Sequence, residues 1–264
     1  MGRDSNLISW GVPGLSASFP KPATGRTLLL EGTKKYSHNL VSEMICDEIC
    51  SGRPIHWIDG GMALDPSGLI PMLSKRGRSP DELRLLRGCR AFTAHQMVDL
   101  VRRARGDIRP REDESEIRLV VITDLASMFG DMQVKRAEGK SMLSESLGLI
   151  KSLARTQNVL VVMTMPVPRD CDPYKPLYAQ MNDHADDKVS VPFYDGTNIV
   201  ATHHSLQVSA SSIQTLSTRV SLRDFCGTSH SSKVVCMRPP LDNVSSETPN
   251  GESIEKEARR ASAS

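Results

Sequence analysis

Aromatic side chains are scarce in this chain: two Trp, four Tyr and five Phe among 264 residues, or 4 %. Its core must therefore be built from Leu, Val, Ile, Met and Ala. Long apolar runs are missing too. None approaches the roughly 18 residues that cross a bilayer, and mean hydropathy is −0.30, which excludes an integral membrane protein. The first ten residues hold no charged-then-apolar leader pattern. No charge sign dominates: 33 Lys+Arg against 31 Asp+Glu leave +2. That balance excludes a uniformly basic nucleic-acid coat, though not local patches. Six cysteines without a C-x-x-C pair exclude a disulfide scaffold. Cys46 and Cys50 have helical ligand spacing, but no second pair completes a metal tetrahedron, so buried thiols in a reducing compartment are expected.

What is there has a clear order. Residues 1–25 read as an irregular lead-in, broken by Gly11, Pro13, Gly14, Pro20, Pro22 and Gly25. Residues 26–31 predict a strand ending at Gly32. A polar loop at 33–39 follows, then a helix from Asn39 carrying Leu40, Met44, Ile45 and Ile49. Residues 55–59 predict a second strand. Short helices are expected at 66–76 and 79–87, a strand at 89–92, a helix at 95–105 and a charged loop at 108–116. The stretch 117–124 (IRLVVITD) is the clearest buried strand, followed by a helix at 141–157 and an apolar strand at 159–164. Continuous apolar strands alternating with helices predict an α/β fold, a mostly parallel twisted sheet flanked by helices. Residues 166–197 read as a long loop, and 199–211, 216–223 and 233–237 as strands extending the sheet antiparallel. The expected division is a lead-in at 1–25, one core domain at 26–241 and a disordered tail at 242–264.

Charge is uneven. Residues 75–111 hold eleven basic and four acidic residues, and Glu112, Asp113, Glu114 and Glu116 follow at once. The segment reads as a solvated face beside a compensating loop, or as a patch for phosphates or an acidic partner.

A strand ending in glycine, then a loop, then a helix is where a phosphate loop sits. That chemistry needs G-x-x-x-x-G-K-[ST]. The glycines let backbone N–H groups curl around phosphates, the lysine neutralises them and the hydroxyl binds Mg²⁺. Laid on residues 32–39, the pattern finds Gly32 but then Ser37, His38 and Asn39 at its other fixed positions. Lys34 and Lys35 lie within the loop. Asp124 ends the buried strand, where a Walker B aspartate would hold Mg²⁺.

Several segments share order and spacing with one family. They are Ser9-Trp10-Gly11-Val12-Pro13-Gly14-Leu15, Trp57-Ile58-Asp59 with Asp65-Pro66, Arg90-Ala91-Phe92-Thr93-Ala94-His95-Gln96, residues 119–129 and residues 147–164. Over residues 28–167 the chain resembles the RecA/RadA recombinase superfamily, RadA-like paralogues above all. The resemblance implies a RecA-like P-loop NTPase core with antiparallel C-terminal strands. Three hydrolytic parts of that family differ here. The phosphate lysine is His38. The water-activating Glu, due two residues after Asp59, is Gly61, which cannot act as a base. The T-N-Q sensor reads Thr164-Met165-Pro166.

Loss of all three implies a pseudo-ATPase, because phosphoryl transfer rests on positioning and charge neutralisation. Gly32, Lys34, Lys35, Ser37, His38, Asn39, Asp124 and Thr164 would then line a degenerate nucleotide site. No catalytic residue and no metal site are expected. No cofactor is required, and weak ATP/Mg²⁺ binding through Lys34 or Lys35 is the most the loop allows.

The resemblance leaves two working surfaces. One faces single-stranded DNA through two loops. Lys135, Arg136 and Lys140 belong to the first, at 130–139 and just beyond. Arg169, Lys175, Tyr174 and Tyr178 belong to the second, at 167–196, with cations for phosphates and rings for bases. Four of the eleven aromatics fall in the second loop, but so do six acids against three bases. The other surface takes a recombinase or another RecA-family subunit. The expected function is an accessory mediator subunit in homologous recombination and DNA repair, in cytoplasm or nucleus, without a membrane partner. The alternatives are a divergent DNA-dependent ATPase using Asp124 and Lys34/Lys35, or a regulator of the circadian-clock-like ATPase group, which normally keeps a proper P-loop. No room is expected for a helix-hairpin-helix domain before residue 26.

Overall fold

A computed structural model describes residues 6–109, 115–168, 172–196 and 198–212. The strands expected at 216–223 and 233–237, and the tail from 242, lie outside the described residues. Eight strands form one sheet: β1 (Thr27–Gly32), β2 (Ile55–Asp59), β3 (Leu86–Arg90), β4 (Leu119–Thr123), β5 (Leu160–Met165), β6 (Asp187–Tyr194), β7 (Ile199–His203) and β8 (Val208–Ser212). Their order is β3-β2-β4-β5-β1-β6-β7-β8. Neighbours from β3 through β6 run parallel, and β7 and β8 add antiparallel. The helices are α1 (Pro13–Ser18), α2 (Lys34–Cys50), α3 (Ile70–Lys75), α4 (Ala94–Asp107), α5 (Leu125–Phe129), α6 (Arg136–Gln157) and α7 (Lys175–His184). This is the predicted α/β fold, a mostly parallel sheet flanked by helices with antiparallel C-terminal strands, and it is consistent with a RecA-like core.

The apolar strands fail to alternate because both sheet faces are covered. Successive side chains point to opposite faces. Leu29, Ile58, Val120, Ile122, Val161 and Met163 therefore pack with the apolar sides of α4, α5, α6 and α7. Leu28, Leu30, Trp57, Val121 and Val162 pack with α2 and α3 on the other side. Because β1, β2, β4 and β5 are parallel, their C-terminal ends meet at one edge, where the residues that follow them converge.

The structure corrects several boundaries. The helix expected from Asn39 begins at Lys34, one residue after β1, because Thr33 caps it through an Oγ1 that accepts from Tyr36 N at 3.4 Å. Ser37, His38 and Asn39 are thus helical, not loop, residues. Likewise α6 starts at Arg136, ahead of the expected 141. The helix expected at 79–87 is a 3-10 turn, Pro80–Leu85, that runs straight into β3. The long loop expected at 166–197 contains α7 and β6, and 199–211 folds into the β7–β8 hairpin.

The lead-in also differs from its reading. Its prolines and glycines break any period, yet Ile8, Trp10, Val12, Leu15 and Phe19 are all buried with α2 and the sheet. Trp10 Nε1 donates to Pro20 O at 3.1 Å, and the Trp10 and Phe19 rings meet edge-on at 6.2 Å. Trp10→Ala should therefore cost about 3–5 kcal/mol in urea unfolding, the price of a buried ring. A loss within ~0.5 kcal/mol would return the segment to a surface appendage.

Candidate functional site

The edge at the strand C-termini is organised by Asp59, whose side chain is completely buried. Its Oδ1 accepts from Gly61 N (3.1 Å), Ala63 N (3.0 Å) and Thr123 Oγ1 (2.8 Å), and its Oδ2 from Leu64 N and Arg90 Nε, both at 2.9 Å. Burial pushes this carboxyl up, but the hydrogen bonds from Leu64, Ala63, Thr123 and Gly61 outweigh it, and the net shift is down. Arg90 also donates to Leu64 O at 2.7 Å. One carboxylate thus fixes the whole turn after β2. Much of the Arg90–Gln96 motif serves this architecture. Arg90 braces Asp59, Thr93 caps α4, and Gln96 Oε1 accepts from Phe92 N at 2.9 Å.

Beside that turn stand Lys34, His38, Gly61 and Asp124. Asp124 adopts a left-handed backbone (φ 54°), a conformation that aspartate tolerates better than most residues. Its N–H donates to Thr164 Oγ1 at 3.2 Å. Its Oδ2 lies 3.4 Å from Lys34 Nζ and 3.9 Å from His38 Nε2. Lys34 Nζ also donates to Gly61 O. Burial lowers the pKa of His38, and Lys34 adds to that against the pull of Asp124, so the imidazole is neutral near pH 7. A Cβ at Gly61 would fall 1.7 Å from Asp124 Oδ2, so a glutamate where the resemblance expects one would have to displace the Asp124 side chain.

Two N–H groups of the residues laid on the phosphate-loop pattern are committed to the helix. Tyr36 N and Ser37 N donate to Thr33 O, at 2.9 and 3.0 Å, inside the first turn of α2. Ser37 Oγ is buried and donates to Thr33 O at 3.1 Å. Gly32 has a local reason: a Cβ there would meet Val191 O of β6 at 2.7 Å. Lys35 is exposed and Asn39 half-buried.

The DNA candidates separate. Lys135, Arg136 and Lys140 are exposed around the start of α6 and make no ion pair among the described residues. Lys175 is exposed on α7. Tyr178 is buried, and burial pushes its hydroxyl up to about 12; Tyr174 packs at 6.2 Å from it. Neither is set out as a stacking platform, because α7 turns both onto the core. Arg169 lies outside the described residues. Four cations of the basic segment are paired internally. Arg76 pairs with Glu43, Arg78 with Glu82, Arg90 with Asp59 and Arg102 with Asp99 and Glu145. Lys75, Arg84, Arg105 and Arg109 remain exposed without an ion pair among the described residues, and Arg111 lies outside them.

Sequence reading missed a set of exposed apolar residues. Met62, Phe92 and Val167, which follow β2, β3 and β5, are 73, 68 and 54 % exposed, and Met132, between α5 and α6, is 100 % exposed. Met62 is held out at φ 55° by the turn that Asp59 fixes. Single apolar residues in polar turns give no periodic signal. Cys46 is buried and Cys50 half-buried, and among the described residues no group of three or more His, Cys, Asp or Glu is placed to hold a metal. No described helix is long and apolar enough to cross a membrane.

The depressed Asp59 carboxyl makes a signed prediction. Above the ordinary carboxylate range it is ionised in both states and its contribution to stability is complete. As pH falls, the unfolded chain protonates first, and the contribution disappears as pH passes the folded value. Asp59→Asn should cost about 3–5 kcal/mol at neutral pH and far less in acid. Urea unfolding at both pH values checks this; an equal loss at both would contradict it.

No protein-family model matches the chain. The DNA repair protein RAD51 homolog 4 of Bos taurus is 27 % identical to it over 125 residues, which cover 44 % of this chain and 38 % of that protein. The chain thus spans well under half the length of this curated relative. Together with a fold consistent with a RecA-like core, the likeness suggests a RecA/RAD51-family relationship.

Proposed function

We propose that the chain is a non-hydrolysing accessory subunit of RecA/RAD51 type. It acts in homologous recombination and DNA repair by binding single-stranded DNA and a RecA-family partner, in the nucleus or cytoplasm. The repair setting draws its support from the partial likeness to a DNA repair protein. The observation that carries the non-hydrolysing part is the glycine at 61, which has no group to activate water and whose Cβ position the Asp124 side chain occupies. Phosphoryl transfer also needs cations aimed at phosphate, and here Lys34 is turned onto Asp124. Met62, Phe92 and Val167, exposed apolar residues that follow three strand C-termini, support a protein partner.

Lys135, Arg136 and Lys140 support the DNA role. They are exposed, free of ion pairs among the described residues and placed beside the strand C-termini. Cations that meet phosphates release counterions, so affinity falls with salt, with a slope of about −0.7 per contact for a single strand. Fluorescence anisotropy of a single-stranded oligonucleotide across a salt series tests this. Lys135→Glu/Arg136→Glu should weaken binding and reduce the salt slope by about 1.4. An unchanged affinity and slope would remove this surface from DNA binding.

A further inference from the structure

We infer that the Lys34 ammonium is the resident cation of this site. It sits on the Asp124 carboxylate where a divalent ion would otherwise sit, and it closes the site without metal or nucleotide. The inference rests on the non-hydrolysing reading above and adds the means by which the site is held shut.

Four observations converge on it. Lys34 Nζ contacts two oxygens that would suit a metal, Asp124 Oδ2 at 3.4 Å and Gly61 O. Those oxygens come from the ends of β4 and β2, so the ammonium ties two strand ends to the start of α2. The lysine stands at the first position of a 17-residue helix with no acidic residue in its first turn. A cation there opposes the helix dipole, so the position is unfavourable unless an external anion offsets it. Asp124 is that anion. Its side chain is only 16 % exposed, and the other group facing Oδ2 is the neutral His38 ring at 3.9 Å. A half-buried carboxylate needs a cation, and Lys34 is the one within reach. Finally, the local geometry is adapted to this contact. Gly61 leaves Asp124 room, and the Thr164 hydroxyl accepts from the Asp124 N–H and holds its left-handed backbone. A lysine moved out to a phosphate would abandon the carboxylate just as another anion approached it.

The test is a double-mutant cycle on the full chain, read as Tm, in EDTA and again with excess MgCl₂ and ATP. Lys34→Met strands a half-buried carboxylate and should lower Tm by roughly 2–4 °C. Asp124→Asn frees an ammonium that water can solvate, so it should cost less. Combining the two should recover part of the Lys34→Met loss, because the stranded charge is gone. The wild-type Tm should be the same with and without MgCl₂ and ATP. Losses that simply add, with no nucleotide effect, would overturn the ion-pair inference while leaving the non-hydrolysing reading in place. A wild-type Tm raised by MgCl₂ and ATP would overturn the inference that Lys34 holds the site shut, while leaving the non-hydrolysing reading to be decided by turnover. Lys34→Arg keeps the charge and should keep most of the stability.

Discussion

Everything at the strand C-termini depends on the Asp59 carboxylate. It is fully buried and charged, which is tolerable only because five donors surround it. Those donors come from three places: the turn after β2, the end of β4 and the end of β3. One charge therefore sets the conformation of residues 60–64, aligns Thr123 for the Trp57 indole N–H at 3.2 Å and anchors Arg90. A network satisfied on every side is rigid, and its loss is felt throughout.

That rigidity propagates to the neighbouring site. The fixed turn places the Gly61 carbonyl where Lys34 reaches it and places the Gly61 Cα against Asp124. The space a catalytic carboxylate would need is filled by the Asp124 side chain. On the far side, α2 starts immediately after β1, so the segment that would wrap phosphates is spent on the first helical turn. An early helix start and a glycine after β2 thus bring Lys34 within ion-pair distance of Asp124. The same turn presents Met62 outward, 73 % exposed, as one of the apolar residues that support a protein partner in the proposed function.

Much of the fold was legible in the sequence because both sheet faces are covered. Runs such as LVVIT and LVVMTM can only be doubly buried strands, and the order of strands and helices followed from them. Asp124 was also visible as a Walker B-like aspartate, Lys34 as a loop lysine and Gly61 as a departure from the family pattern. Their mutual contacts were not, since they lie on three segments that only the tertiary fold unites. Starting the helix at Asn39 hid the geometry of Lys34, because capping by Thr33 is a local hydrogen bond that competes with a loop reading of the same residues. The tyrosines misled in the opposite sense. Their clustering looked like a binding loop, but α7 places Tyr178 in the core. The lead-in was misread because its apolar residues follow an irregular path with no period to detect.

Under the proposed function, this core, whose fold is consistent with a RecA-like core, acts without turning over ATP. The most direct measurement is steady-state phosphate release by the purified full chain, with Mg²⁺ and ATP, in the presence and absence of single-stranded DNA. The account predicts no release above that of buffer under either condition. Turnover that single-stranded DNA stimulates and Asp124→Ala abolishes would contradict it.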